Sequence, residues 1–274
     1  TPPEATTTIL SPDRRHLYYV VRDTAPDRRS LRVRRLSDGR TRTIARDLRS
    51  SPQFTYGPGG SPFSGEELMY AERRGDRLEL RACAPEGEPR LLRSFPASFE
   101  DASGGRVHGE RIAWTDVLGD SSALLVAEGP DGAPRRVATV RGSLYEPVWS
   151  PDGRWIAASY HSAPWGASSP HAVFVVGVTP AGQPSAPPRL IDVGLAASEG
   201  IRWLPDSRAV TVLGMSGQGV ETDIWLVSLR EGDPPVNLTR DDPSVMWSYT
   251  VSPDGRDIAY PAEIPRGSSL WRID

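Results

Sequence analysis

The sequence predicts an all-β chain folded as a six-bladed β-propeller of four-stranded antiparallel blades, the last blade incomplete. Three observations carry this. The stretch Trp149-Ser150-Pro151-Asp152-Gly153-Arg154-Trp155-Ile156-Ala157-Ala158 returns, worn to varying degrees, along the chain. The 26 Gly and 27 Pro among 274 residues demand many turns. Between the turns lie short apolar runs with no helical period, which read as strands.

Taking Asp152 as the marker, equivalent positions are Asp13, Asp206 and Asp254, with degenerate copies at Ser64 and His108. The intervals are 51, 44, 44, 54 and 48 residues, which gives six units. An apolar strand follows each marker, as in Leu17-Tyr18-Tyr19-Val20 or Val210-Thr211-Val212-Leu213. A second strand, such as Val173-Phe174-Val175-Val176, comes after a variable loop, and a turn such as Asp38-Gly39 leads to a final strand. With the strand before the marker, each unit holds four.

The marker chemistry suits a tight hairpin. Proline presets its own φ and donates nothing to a ladder, aspartate bonds nearby amides, and glycine supplies a positive φ. Four-stranded sheets alone would expose both faces; stacking each on the next buries them. A single domain over 1–274 is expected, with blades near 6–50, 51–98, 99–142, 143–195, 196–240 and 241–274. The sixth unit stops at Leu270-Trp271-Arg272-Ile273-Asp274, which matches a third strand. The expectation is a last blade of three strands, a native chain that continues past Asp274, or one that carries more sequence before Thr1.

Ser-Pro-Asp-Gly before an apolar strand, then Ile224-Trp225-Leu226-Val227, then Asn237-Leu238-Thr239, resembles the TolB-type propeller repeat of bacterial periplasmic proteins. Similar blades form the propeller domains of prolyl oligopeptidase relatives. The resemblance spans nearly the whole chain and is sharpest in units four to six. It implies the propeller fold, an extracytoplasmic location and a protein or peptide partner.

Composition narrows the function. A formal net charge of −3 offers no bulk attraction for nucleic acid or an anionic membrane, and no apolar run is long enough for a spanning helix. All 32 basic residues are Arg, which reads as the coding bias of a GC-rich genome and makes functional clustering of Arg weakly informative. The single Cys83 excludes an intrachain disulfide and reads as a buried, inert thiol. No metal or cofactor is expected, and the chain is expected to be a monomer.

The longest loop runs from Tyr160 to His171 and carries His161, Trp165 and His171. Long, varied loops mark the binding face of a rigid scaffold. The same face is expected to hold Tyr145, Glu146, Asp116, Glu199, Asp242 and Trp247, many of them as plain solvated loop residues. Gly214-Met215-Ser216-Gly217-Gln218 lacks the second glycine of a nucleophile elbow. His161 and His171 lack metalloprotease spacing, and Asn237-Leu238-Thr239 is explained by its repeat position rather than by a sugar. Three readings stand: a non-enzymatic interaction module, favoured because no catalytic constellation can be named; a gating or sensing domain of a larger protein; and a glycosidase or lyase whose carboxylates Asp116, Glu146, Glu199 and Asp242 converge.

Overall fold

A computed structural model describes residues 5–23, 28–48, 53–54, 62–96, 106–162, 171–194, 197–215, 222–240, 242, 248–252, 254–264 and 267–273. Among these residues the secondary structure is strand and turn, in six antiparallel sheets.

The first sheet has strands β1 (Ala5–Leu10), β2 (His16–Arg22), β3 (Arg29–Arg35) and β4 (Thr41–Leu48) in that order. The second comprises β5 (Gln53–Phe54), β6 (Phe63–Ser64), β7 (Glu67–Arg74), β8 (Arg77–Cys83) and β9 (Arg90–Pro96), with β6 a short extra partner of β7. The third comprises β10 (Arg106–His108), β11 (Arg111–Leu118), β12 (Ser121–Glu128) and β13 (Arg135–Arg141). The fourth has β14 (Ser143–Trp149), β15 (Trp155–His161), β16 (His171–Gly177) and β17 (Arg189–Asp192). The fifth has β18 (Ala197–Trp203), β19 (Ala209–Met215), β20 (Thr222–Ser228) and β21 (Val236–Asn237). The sixth pairs β22 (Thr250–Val251), β23 (Ile258–Ile264) and β24 (Gly267–Ile273), three strands among the described residues, as the repeat count anticipates.

The chain divides into two compact units, one of Thr1–Gly57, Ser61–Ile112 and Glu128–Gly132, the other of Pro58–Gly60, Ala113–Ala127 and Ala133–Asp274. In the first, Tyr18, Val20, Leu31 and Val33 pack on Leu68, Tyr70 and Cys83, so the lone cysteine is a core residue. In the second, alternate faces of the fourth sheet feed two clusters. Ile156, Ala158 and Phe174 join Ala113, Leu124 and Trp149, while Ala157, Val173 and Val175 join Trp203, Val210 and Val212. The period-two alternation of a strand puts consecutive residues into different cores.

The marker turns repeat atom for atom. Ser150 Oγ donates to Asp152 Oδ1 (2.6 Å) and accepts from Trp155 N (3.0 Å), while Arg154 N donates to Asp152 Oδ1 (3.0 Å). The same three bonds recur around Ser11 and Asp13, and around Ser252 and Asp254. The amides these bonds serve would otherwise lack partners in so tight a loop. The fourth turn position is left-handed each time: Gly153 (φ 66°), Gly255 (φ 72°) and, without glycine, Arg14 (φ 59°) and Ser207 (φ 60°). In the second and third sheets the left-handed residues are Gly65 and Gly109, one place after the marker positions Ser64 and His108.

Two devices join neighbouring sheets within the units. Trp203 Nε1 donates to Val148 O at 3.0 Å, a polar tie beneath the marker turns. Arginines near the outer strands reach the third-to-fourth-strand turn of the next sheet. Arg42 donates to the carbonyls of Ala84, Pro85 and Gly87 (2.6–3.2 Å), and Arg93 to those of Gly129 and Gly132. Arg135 donates to Ala181 O, and Arg189 to Leu229 O (2.7 Å). Four arginines thus hold one structural position.

Candidate functional site

The end of the fourth sheet from which residues 163–170 leave brings four of the nominated residues together. His161 closes β15 and His171 opens β16, and the two are paired in register across the ladder. Sequence reading expects both in a loop; the structure places them in strands and buries them, at 5% and 7% exposure. Their rings lie 3.8 Å apart, centre to centre, at 57°. Tyr145 on β14 meets the His161 ring edge-on at 5.2 Å. Ser159 pairs with Tyr145 across the ladder and lies two residues before His161, on the same face. Its hydroxyl is buried and finds no hydrogen-bond partner among the described residues.

Gly142 explains how the backbone closes here. Its φ is 98°, and a Cβ would sit 2.4 Å from His161 O, so the chain entering β14 passes where a side chain has no room. Ser122 Oγ donates to Gly142 O and accepts from Leu144 N, fixing that entry.

Burial governs the electrostatics. His161 is pushed down from 6.5 to about 4, first by burial and then by the charge His171 would carry. Burial also lowers His171. Both rings are therefore neutral at neutral pH. Two imidazoles fanning from one tetrahedral ion would have centres about 5 Å apart, wider than this tilted pair. The pair is built for packing and neutral hydrogen bonding, and among the described residues no group of three or more His, Cys, Asp or Glu is arranged to hold a metal.

Glu146 follows Tyr145 on β14 and is exposed, with a positive φ of 50°. Asp116 lies apart, on β11 of the third sheet; burial raises its pKa and a bond from the Trp114 side chain opposes the rise. Asp242 accepts from Tyr260 OH at 2.6 Å in the sixth sheet. Glu199 falls within β18, opposite Leu213, rather than in a loop. Trp165, Trp247 and Ser216 lie outside the described residues. Asp116, Glu146 and Glu199 thus lie on strands of three different sheets, and Asp242 lies between the last strand of the fifth sheet and the first of the sixth. Asn237, the acceptor of the apparent glycosylation motif, is explained structurally: its amide donates to Asp223, which also accepts from Thr239 Oγ1, both at 2.9 Å.

Sequence reasoning missed Ser159 and Gly142. A strand serine two places before a nominated histidine and a glycine before an apolar strand were the available signals.

No protein-family model and no curated protein matches the chain. Solved structures do. TolB from Acinetobacter baumannii matches over 95% of this chain at 13% identity and a TM-score of 0.61. The match takes in 61% of that TolB chain, so this chain spans less than two thirds of it. The β-propeller domain of the trilobed protease from Pyrococcus furiosus matches over 98% of this chain and 82% of its own, at 7% identity and 0.62. An oligogalacturonate lyase in complex with manganese matches over 99% of this chain and 77% of its own, at 15% identity and 0.65. These neighbours include enzymes and TolB alike, and at such identities they speak to architecture. The chain has a β-propeller fold, which it shares with these structures.

Proposed function

We propose that the chain is a binding module, with residues 1–274 acting as one propeller domain and a monomer. It takes a protein or peptide segment at the end of the fourth sheet where residues 163–170 leave it. The observation that carries this reading is the cluster of Tyr145, His161 and His171. The imidazoles are buried and back the half-buried Tyr145 ring, so the phenol is the part of the cluster a partner can reach, an aromatic anchor of the kind that interfaces favour. The marker turns at the opposite strand ends spend their polar groups on their own bonds. A location outside the cytoplasm belongs to this proposal and rests on the TolB resemblance. A nucleic acid or an inserted membrane partner has no part in it.

The test is selection of binding peptides from a random library against the immobilised protein, followed by hydrogen exchange on the complex. Protection confined to β14–β16, with at least tenfold weaker binding by Tyr145→Ala, supports the reading. Protection at the marker turns, or no selected peptide, ends it. A second reading, a propeller that screens access within a larger protein, draws on the likeness to the propeller domain of a protease. It differs in placing the peptide in transit, so weak binding without sequence preference would favour it.

A further inference from the structure

The first and second sheets border a cavity of about 130 Å³ beside the Arg42 clasp, and its polar wall is His16, Arg35, Arg40, Thr41, Arg42 and Glu86. A space of that size holds several waters or one small anion. The clasp belongs to the repeat, but the rest of this wall departs from it. His16 opens β2, in register with Arg35. The corresponding pairs are Trp155 with Gly177 in the fourth sheet and Ala209 with Ser228 in the fifth. In the fourth sheet the indole fills the place, since a Cβ added at Gly177 would meet Trp155 Cζ3 at 3.3 Å. The first sheet puts an imidazole and a guanidinium there and leaves room.

The wall is electrically unbalanced. Asp38 (3.0 Å) and Glu86 hold Arg35. Arg42 spends Nε and Nη2 on carbonyls of the second sheet, while its Nη1 has the exposed Glu88 at 3.9 Å. The exposed Arg40 guanidinium has no hydrogen bond or ion pair among the described residues. His16 Nδ1 is buried without a hydrogen-bond partner among those residues, with the Asp13 carboxylate 3.9 Å away. Three guanidiniums therefore face one lining carboxylate, Glu86. The bond from Arg35 holds the Glu86 pKa below the usual range, and the field of Arg40 adds to it.

We propose that this cavity is a phosphate site, taking the dianionic group between Arg35, Arg40 and Nη1 of Arg42, either free or as the head of a small monoester. Guanidinium forks match phosphate oxygens two at a time, and three forks exceed what one carboxylate can use. Glu86 is the internal anion that the ligand displaces from Arg35. The proposal does not depend on the peptide-binding reading.

The experiment is calorimetric titration of the whole chain at low ionic strength with inorganic phosphate, O-phosphoserine and acetate. One phosphate group binds per chain, and acetate binds at least about tenfold more weakly. Arg40→Gln, an exposed substitution that leaves the melting temperature unchanged, weakens phosphate at least about tenfold. Glu86→Gln strengthens it about threefold, because Arg35 is released. Arg154→Gln removes an exposed arginine of the fourth sheet's marker turn and changes nothing. Tighter binding of phosphoserine than of phosphate makes a monoester the ligand; equal or weaker binding makes it inorganic phosphate. No binding of either, or acetate binding as tightly, overturns the proposal. So does a phosphate affinity that Arg40→Gln and Glu86→Gln leave unmoved, or one that Arg154→Gln lowers as much as Arg40→Gln, which would mean an adventitious ion only.

Discussion

Ser207 Oγ accepts the backbone amide of Asp152 at 3.1 Å, joining the marker turn of the fifth sheet to that of the fourth. Ser207 stands where the fourth and sixth turns have glycine, and it holds φ 60°. The side chain trades conformational ease for a bond between sheets. Two substitutions separate the terms. Ser207→Ala keeps the strain and loses the bond, and is expected to destabilise by about 1 kcal/mol. Ser207→Gly loses the bond but relaxes the backbone, and should stay within about 0.5 kcal/mol of wild type. Urea unfolding of both variants checks the order: no loss in Ser207→Ala would show that the bond carries no weight, and equal losses in the two that the left-handed backbone costs nothing.

Gly255 makes the companion contact. A Cβ there would lie 2.7 Å from Pro205 Cδ, on a backbone already at φ 72°. Gly255→Ala should cost more than the roughly 1 kcal/mol of a left-handed alanine alone, and Gly255→Val more still. A melting temperature within a degree or so of wild type would contradict this turn geometry.

Arg42 spreads one guanidinium over three carbonyls and also lies 3.4 Å from Cys83 Sγ. Arg42→Ala is expected to cost about 1–3 kcal/mol, and Arg42→Lys to recover little, because an ammonium cannot match the fork. Labelling of Cys83 by a thiol reagent under native conditions should speed up in both. Unchanged labelling and stability would mean that the turn holds without its arginine.

The histidine pair sets an acid limit. A base whose folded pKa lies below its unfolded value contributes stability that is complete above the unfolded pKa and is lost as pH falls. For His161 the window opens at 6.5 and closes near 4. Urea midpoints should therefore fall steadily as pH drops through that range, and His161→Phe should flatten the fall. A profile of equal slope in the variant would assign the acid sensitivity elsewhere.

Much of the fold was legible because the marker turn is a local device. Serine, aspartate and glycine at fixed offsets satisfy one another without help from distant residues, so the pattern survives in the chain. The worn copies at Ser64 and His108 showed only through spacing, and their left-handed glycines follow the marker by one place as in the other copies. The arginine ties were not legible. In a chain without lysine, a positional arginine looks like every other basic residue, and its acceptors are backbone carbonyls with no sequence signature. The site was legible by halves. Tyr145, Glu146, His161 and His171 converge because strand register joins them, but the histidines were expected in solvent. Asp242 could not be sorted from the others, since its partner Tyr260 lies beyond a hairpin that spacing alone does not pair.

The ties of Arg42, Arg93, Arg135 and Arg189 all run in one direction, from an earlier sheet to the carbonyls of the sheet that follows. Each clasp has its donor first in the chain and its acceptor later. As the polypeptide emerges from synthesis, an arginine waits until the next turn appears before it can fasten. Shortening from the carboxyl end therefore undoes one clasp for each of the fifth to second sheets removed in turn and leaves the earlier ones whole. A guanidinium keeps its charge at any pH where the fold survives, so this fastening is insensitive to the acidity that loosens the histidine pair.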